Sequence, residues 1–180
     1  MMAEHLEMIS MNGRMAYVIM CAERFLTAVY PDKDWSPVAR KMWKATADNW
    51  ADWANEYCEI IPDVILSTDG YDAKGYQYIS EEEYHAFLSL YDGITSGRED
   101  NISDIVDHML NMPYEMAMVY EGTSVGDGKE SLDIIKNTED ILLENNIPLP
   151  DSRLLSFSPF SQKNGWGNDF DGERLSVILT

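Results

Sequence analysis

The chain has 180 residues, of which 45% are hydrophobic and 25% are charged, so it can bury the core of one globular domain and is not a disordered chain. Thirteen Lys and Arg stand against 32 Asp and Glu, and the formal net charge of -19 argues against binding to DNA, RNA or an anionic membrane. A basic protein is the partner that this charge favours.

The apolar runs, the first residues and the cysteines all bear on where the protein is located. The densest apolar run, from Met15 to Ala22, stops well short of the ~20 apolar residues that span a bilayer. The chain does not open with a basic segment, an apolar stretch and a cleavage site, so we expect a cytoplasmic protein. Cys21 and Cys58 lie in helical patterns among apolar neighbours, and we expect both to be reduced core residues.

The first long helix is predicted to begin at Met11 and to end near Tyr30. Its apolar residues follow steps of four and three, which place them on one helix face: Met11, Met15, Val18, Ala22, Phe25 and Val29. Further apolar residues widen this face until little of the circumference is polar, which is typical of a central helix. Pro31 disfavours helical geometry in the residue before it and so ends the helix.

A second helix is predicted after the polar turn that follows Pro31. Ser36 is placed to cap this helix, and Pro37 takes the first helical position, where a missing N–H costs nothing. One face of the helix continues in the same steps and is largely aromatic: Ala39, Trp43, Thr46, Trp50, Trp53 and Tyr57. We therefore expect one continuous helix that ends near Tyr57.

Residues 62–79 change character and form the best candidate for an internal boundary. This stretch contains two Gly and three Asp between short apolar pieces, which indicates a loop or a short hairpin. Ser80 and Glu83 then match a capping box, and the amphipathic pattern behind them predicts a third helix that ends near Gly97.

Two more helices are predicted in the second half of the chain. The fourth begins around Asn101, and Pro113 is expected to kink it or to start a separate short helix. A flexible connection over 122–128 leads to a fifth helix from about residue 129 to 146, which the Pro-containing segment behind it ends.

The tail over residues 147–180 lacks helical periodicity. Its aromatic residues stand among Ser, Pro, Gly and Asn, so we expect an ordered extended coat on the helices, closed by a short helix over 173–179. Gly165 and Gly167 flank Trp166 and let the backbone place its ring freely. The ring is either a plug in the helical core, which we favour, or an anchor for a partner.

These patterns together predict an all-α fold. We expect a single-domain helical bundle of about five to six helices over residues 1–180, with an ordered irregular tail packed on the helices. The chain has no repeat of fixed period, which sets the solenoid and propeller classes aside.

The common catalytic motifs are missing from the sequence. It contains no phosphate loop, no dinucleotide-binding glycine pattern, no nucleophile elbow and no His-Glu-x-x-His zinc motif. Glu82-x-x-His85 matches one part of a two-metal site in a helical bundle, with Asp104 and His108 as further ligands. Because the second Glu-x-x-His of such a site is missing, we prefer surface ion pairs and expect no metal or cofactor.

Acidic residues dominate the chain between Glu99 and Asp151. This stretch holds thirteen Asp and Glu against two basic residues, Lys129 and Lys136. A solvated face that keeps the protein soluble is the commoner reason for such an excess. The functional alternative is a face that meets a basic protein by mimicking the phosphates of a nucleic acid. The candidate partner-binding residues are Asp104, Asp107, Glu139, Asp140 and Trp166.

Two short pieces of the chain resemble known bacterial proteins. The segment from Ala16 to Leu26, AYVIMCAERFL, leads to Tyr30 and Pro31 and resembles the opening of a family of small, acidic, helical bacterial proteins of uncharacterised function. The tail resembles those of some bacterial immunity proteins. The resemblance implies a single-domain protein that neutralises a toxin delivered by a competing cell, and it assigns no role to any residue.

We therefore expect a non-enzymatic binding protein, of the immunity class, that covers the basic cleft of a toxin such as a nuclease. The first alternative is a metalloenzyme in a helical bundle, with Glu82, His85, Asp104 and His108 as ligands. The second is a regulatory or scaffold protein whose partner has no special charge. The sequence leaves the partner's identity and the oligomeric state open.

Overall fold

A computed structural model of the chain describes residues 3–94, 101–120 and 128–180. Every regular element in these ranges is a helix, and the pairing of Ile9 with Pro159 is an isolated antiparallel bridge. The prediction of an all-α fold is therefore confirmed.

Eight α-helices lie in the described ranges, where the sequence predicts five or six. They are α1 (Ala3–Glu7), α2 (Met11–Val29), α3 (Ser36–Trp43), α4 (Trp50–Tyr57), α5 (Pro62–Leu66), α6 (Glu81–Leu90), α7 (Asn101–Tyr120) and α8 (Lys129–Glu144). The number is higher because the predicted second helix is divided in two, and because no sequence pattern revealed the short helices α1 and α5.

Helix α2 is the centre of the fold, in agreement with its apolar pattern. Fifteen of its 19 residues are buried, and it packs against α3, α7 and α8. The Ser10 hydroxyl caps α2 by accepting a hydrogen bond from the Gly13 N–H, and the helix ends before Pro31. Because most of this helix is enclosed, its buried polar side chains must find partners inside the protein.

Arg14 is the first of two buried charged residues on α2. Its side chain is 99% buried, since its relative exposure is 1%, and it lies over the Phe160 ring at 4.9 Å. The acceptors of the guanidinium include the carbonyls of Leu6, Glu7 and Gly128 and the Ser131 hydroxyl. A single side chain of α2 thereby fixes the end of α1, the beginning of α8 and part of the tail.

Glu23 is the second buried charge, and its carboxylate is enclosed completely. It accepts hydrogen bonds from Trp43 Nε1 at 2.7 Å, from the Ser176 hydroxyl at 2.6 Å and from the Val177 N–H at 2.8 Å. Burial raises the pKa of Glu23, and these three donors oppose that rise. The carboxylate therefore joins α2 to α3 and to the last residues of the tail.

The predicted second helix is divided, so the expectation of one continuous helix to Tyr57 is wrong. Helix α3 ends at Trp43, a 3₁₀ turn follows, and Asn49 caps α4 by accepting from the N–H groups of Ala51 and Asp52. The apolar steps run across this break because the side chains on both sides of it enter the same core. Trp53 of α4, for example, donates from Nε1 to the Lys41 carbonyl of α3 at 2.8 Å.

Residues 62–79 form the short helix α5 and an irregular loop, and they contain no hairpin. Pro62 follows the extended residue Ile61 and starts α5, as proline does at first helical positions. In the loop, the Glu59 carboxylate accepts from the N–H groups of three successive residues, Gln77, Tyr78 and Ile79. These backbone donors are thus occupied by a side chain and are not free to pair with a second strand.

Helices α6 and α7 keep the predicted starts but not the predicted ends. The capping box of Ser80 and Glu83 is present in full at the start of α6. Helix α6 ends at Leu90, well before Gly97, which lies outside the described residues. Helix α7 runs through Pro113 as one element, and the Tyr57 hydroxyl donates to the Leu110 carbonyl in the turn before that proline. The predicted connection over 122–128 lies almost wholly outside the described residues.

The tail crosses the helices without regular structure beyond three short 3₁₀ turns. Backbone hydrogen bonds tie it to the rest of the chain at four places: Ser10 to Ser158, Phe160 to Met8, Asn12 to Trp166 and Phe170 to Thr46. The predicted short helix over 173–179 is instead a 3₁₀ turn over Gly172–Leu175. The tail packs closest at Gly167, whose φ is 84° and where an added Cβ would overlap the Ser10 hydroxyl.

We expect that Glu23→Ala lowers the free energy of unfolding by about 3 to 5 kcal/mol, because three buried donors lose their acceptor. Glu23→Gln keeps an acceptor oxygen for Trp43 and Ser176, and we expect it to lower that free energy by roughly half as much. Urea denaturation measures both effects. The control is Glu115→Ala at an exposed acid of α7, and a comparable loss there would contradict the role given to Glu23.

Gly167→Ala tests how closely the tail approaches the start of α2. The substitution adds the strain of a positive φ, about 1 kcal/mol, and an overlap with Ser10 that costs roughly 1 to 3 kcal/mol more. Gly93→Ala is the matched control, because Gly93 has a φ of 81° and no atom of the described residues lies within 4 Å of an added Cβ. Urea denaturation should show a clearly larger loss for Gly167→Ala, and equal losses would mean that the tail does not pack closely there.

Candidate functional site

Two of the predicted partner-binding acids, Asp104 on α7 and Asp140 on α8, are exposed. Neither carboxylate makes a hydrogen bond or an ion pair with another residue of the described ranges. Their charges therefore face solvent and are not neutralised by the described residues.

Asp107 is half-buried, and its carboxylate holds α5 against α7. It accepts from the Asp63 N–H at 3.1 Å and from the Asn111 side-chain amide at 3.1 Å. Burial, followed by the negative charge of Asp63, raises the pKa of Asp107 to about 6. The sequence could not reveal this pair, because Asp63 and Asp107 come from different helices.

Glu139 is also half-buried, and it joins α8 to α2. Its carboxylate accepts the hydroxyl of Tyr17 at 2.7 Å. Burial raises the pKa of Tyr17 far above its usual value, and the neighbouring Glu139 adds to the rise, so the phenol keeps the proton that it donates. Glu139 and Asp107 thus accept hydrogen bonds that join helices, whereas Asp104 and Asp140 accept none from the described residues.

The residues of the metal alternative do not converge on one point. Glu82, His85, Asp104 and His108 are all exposed, and the acid that His85 approaches, at 3.9 Å, is Glu81 of its own helix. Helix α6 buries Tyr84 and Phe87 instead, which turns the Glu82-x-x-His85 pattern toward solvent. Within the described ranges, no three His, Cys, Asp or Glu residues lie close enough together to hold a metal ion.

The other glutamates that could have supplied metal ligands are occupied. Glu23 and Glu59 accept the internal hydrogen bonds described above, and Glu56 forms ion pairs with Lys41 at 2.6 Å and Lys44 at 2.9 Å. Burial alone would raise the pKa of Glu56, but the ion pairs with Lys41 and Lys44 outweigh burial and hold that pKa below its usual value. These acids stabilise the fold.

Both cysteines carry free thiols, but they differ in burial. Cys21 is buried as predicted, whereas Cys58 is only half-buried, which corrects its assignment to the core. Burial raises the pKa of both thiols, so at neutral pH they are protonated. A protonated thiol is a weak nucleophile, and neither cysteine has the setting of a catalytic one.

Trp166 lies at the edge of the core and has features of both a core plug and a partner anchor. It is partly buried, and its ring meets Trp50 edge to face, with 5.4 Å between the centroids and an interplanar angle of 78°. The two rings line an open cleft of about 330 Å³ between the start of α4 and the tail. Trp166 thus closes the core on one side and presents part of its ring to a ligand-sized space on the other.

Polar groups surround the two tryptophans of this cleft. Asp48 and Asp169 contribute carboxylates, and Lys163 forms an ion pair with Asp169 at 3.2 Å. Asn12, in the first turn of α2, also lines the cleft and is 7% exposed. Trp166 is the one member that the sequence singled out, through its flanking glycines. Lys163 and Asp169 are its neighbours in the sequence, whereas Asn12, Asp48 and Trp50 come from distant segments of the chain.

The chain matches no protein-family model, no curated protein and no solved structure. No helix within residues 3–94, 101–120 or 128–180 combines the length and the apolarity that a membrane crossing needs.

The Asp63 and Asp107 pair predicts a pH dependence of stability. A folded-state pKa of about 6 lies above the ordinary value of an aspartate, so protonation of Asp107 favours the folded state. This stabilisation is complete below about pH 4 and is lost as the pH rises through 6. Asp63→Asn removes the neighbouring charge, so we expect it to lower the pKa of Asp107 and to stabilise the fold more at pH 7 than at pH 4.

Carboxyl ¹³C NMR follows the pKa of Asp107 directly, and urea denaturation at the two pH values follows stability. Asp69→Asn is the control, because Asp69 is exposed and makes no bond with the described residues. An Asp107 pKa that is equal in wild type and Asp63→Asn would show that Asp63 does not influence it.

Proposed function

We propose that this protein is a non-enzymatic binding protein that holds a basic partner protein, in the manner of an immunity protein that covers a basic toxin such as a nuclease. A cytoplasmic location and a bundle-like arrangement of the helices belong to the same proposal. The observation that carries it is the unneutralised charge of α7 and α8. None of the ion pairs among the described residues uses a carboxylate from either helix.

The charge of these helices is available to a partner because so little of it serves the fold. Asp104 and Asp140 are exposed and unbonded within the described residues, and Glu130, Asp133 and Glu144 are also exposed. Unneutralised charges of one sign raise the rate at which a cationic protein approaches, and salt screens this attraction over a distance of about 8 to 10 Å. The proposal therefore requires association that is fast at low salt and slower at high salt.

The placement of the acids supports a non-enzymatic role. The carboxylates with raised pKa values, Glu23 and Asp107, are engaged in bonds that hold helices and tail together. The chemical groups that are free, chiefly exposed Asp and Glu, suit electrostatic recognition. A scaffold protein with an uncharged partner differs from this proposal in one measurable respect, because its binding would survive high salt.

The partner is sought first by immobilising the protein and passing over it a lysate of its own host cells at low salt. Bound proteins are released with a salt gradient and identified by mass spectrometry. We expect a protein with an isoelectric point above about 9 that leaves at high salt. Retention of neutral proteins alone, indifferent to salt, would favour the scaffold alternative.

Charge reversal at Asp104 and Asp140 then tests the acidic surface. We expect Asp104→Lys with Asp140→Lys to slow association with the purified partner by about tenfold or more at low salt. The matched control reverses two exposed acids on other elements, Asp32→Lys with Asp69→Lys, and changes the net charge by the same amount. Surface plasmon resonance measures both association rates, and equal slowing by the two pairs would contradict a role for α7 and α8.

A further inference from the structure

The cleft between α4 and the tail has two aromatic walls that are fixed in place. Trp50 donates from Nε1 to the Ala45 carbonyl at 3.1 Å, which sets the plane of its ring. The Trp166 carbonyl accepts the Asn12 N–H at 2.9 Å, and Gly167 beside it packs on the start of α2. Because these hydrogen bonds hold Trp50 and the backbone of Trp166 in place, the cleft loses little conformational entropy when it binds a ligand.

The polar groups of the cleft favour a ligand with positive charge and several donors. Asp48 and Asp169 are negative and Lys163 is positive, which leaves one net negative charge. The Asp48 carboxylate has no partner in the described part of the chain. Asn12 is 93% buried, since its relative exposure is 7%. Its amide nitrogen donates to the Asn168 carbonyl, and its amide oxygen accepts no hydrogen bond from the described residues. Carboxylate and amide oxygens that lack donors call for a donor-rich ligand.

An anion does not fit the same space, although the first turn of a helix lines it. The Asn49 side chain already accepts from the N–H groups of Ala51 and Asp52, so these donors of α4 are occupied. The one ammonium group in the cleft, that of Lys163, is paired with Asp169. An incoming anion would meet the unpaired charge of Asp48.

We infer that this cleft receives an arginine side chain of the basic partner, an inference that rests on the proposed function. A guanidinium is planar, so it can lie against an indole face, and its five donors can serve a carboxylate and an amide oxygen together. A lysine ammonium is a compact point charge and matches the flat aromatic walls less well. The cleft therefore adds specificity to the general attraction of the acidic surface.

Lys163 has a definite place in this arrangement. Its ammonium forms an ion pair with Asp169 at the rim, and both side chains are about half exposed. An arginine that enters the cleft competes with Lys163 for Asp169. Removal of the Lys163 charge should therefore strengthen arginine binding more than removal of a cation elsewhere on the surface.

The experiment uses the whole protein and a defined probe, N-acetyl-arginine methylamide, with the matching lysine compound for comparison. The five tryptophans give separate indole ¹H–¹⁵N signals, so NMR reports each ring. At low salt we expect saturable shifts of Trp50 and Trp166 with the arginine probe and little change at Trp35, Trp43 and Trp53, which lie outside the cleft. The lysine probe should bind at least about threefold more weakly.

Two variants, each with a control, complete the test. Asp48→Asn should weaken the arginine probe by about threefold or more, compared with Asp32→Asn, which removes the same charge from an exposed turn. Lys163→Met should tighten binding by about twofold to fivefold, compared with Lys136→Met on α8. All of these positions are exposed, so the variants are expected to fold.

The outcomes separate this inference from the proposed function. If the arginine probe does not saturate, if all five indoles shift alike, or if Asp48→Asn behaves as Asp32→Asn, the inference is overturned, even where a basic partner has been found. If the probe binds as expected and no basic protein is retained from the lysate, the cleft is a guanidinium site and the proposed function fails. With a purified partner, Asp48→Asn should raise its dissociation rate while Asp32→Asn does not.

Discussion

Burial of two opposite charges on one enclosed helix is the constraint on which the rest of this structure depends. Helix α2 has almost no face toward water, yet it carries Arg14 near its start and Glu23 further along. Neither charge can be left without partners in the interior, because an unsatisfied buried charge costs several kcal/mol. The surrounding segments supply those partners: α1, α8 and Phe160 at Arg14, and Trp43 and the tail at Glu23. The chain ends of several elements are thus placed by polar bonds to α2 as well as by apolar packing.

Some acids of this chain accept internal hydrogen bonds and others face solvent. Their positions in the sequence do not distinguish the two groups. Asp107 and Glu139 stand beside Asp104 and Asp140 in the same acidic stretch, yet they accept internal hydrogen bonds and link neighbouring helices. The net charge of -19 therefore overstates the charge available to a partner. The exposed acids of α7 and α8 form no ion pairs among the described residues, which is the reason for proposing that they serve recognition.

Sequence patterns predicted the features that depend on nearby residues. The all-α class, the central place of α2 and the capping box at Ser80 follow from helical periodicity and from residues three apart. The break before α4 was missed because Asn49 competes as a cap while the aromatic steps continue across it. The loop around Gln77 and the contact of Asp63 with Asp107 were missed because their partners are distant in sequence. The cleft was missed because Asn12, Asp48 and Trp50 are distant in sequence from Trp166, which carried a local signal through its flanking glycines.

The hydrogen bond from Ser176 to Glu23 affects how the protein folds during synthesis. The two residues are 153 positions apart, so the acceptor is synthesised long before its donors. Until the tail has left the ribosome, a carboxylate in the middle of the future core lacks two of its three partners, and contacts of such long range form late and slowly. The Glu23 carboxylate therefore stays hydrated in the nascent chain until residues 176 and 177 emerge, and the middle of α2 can be enclosed only after them.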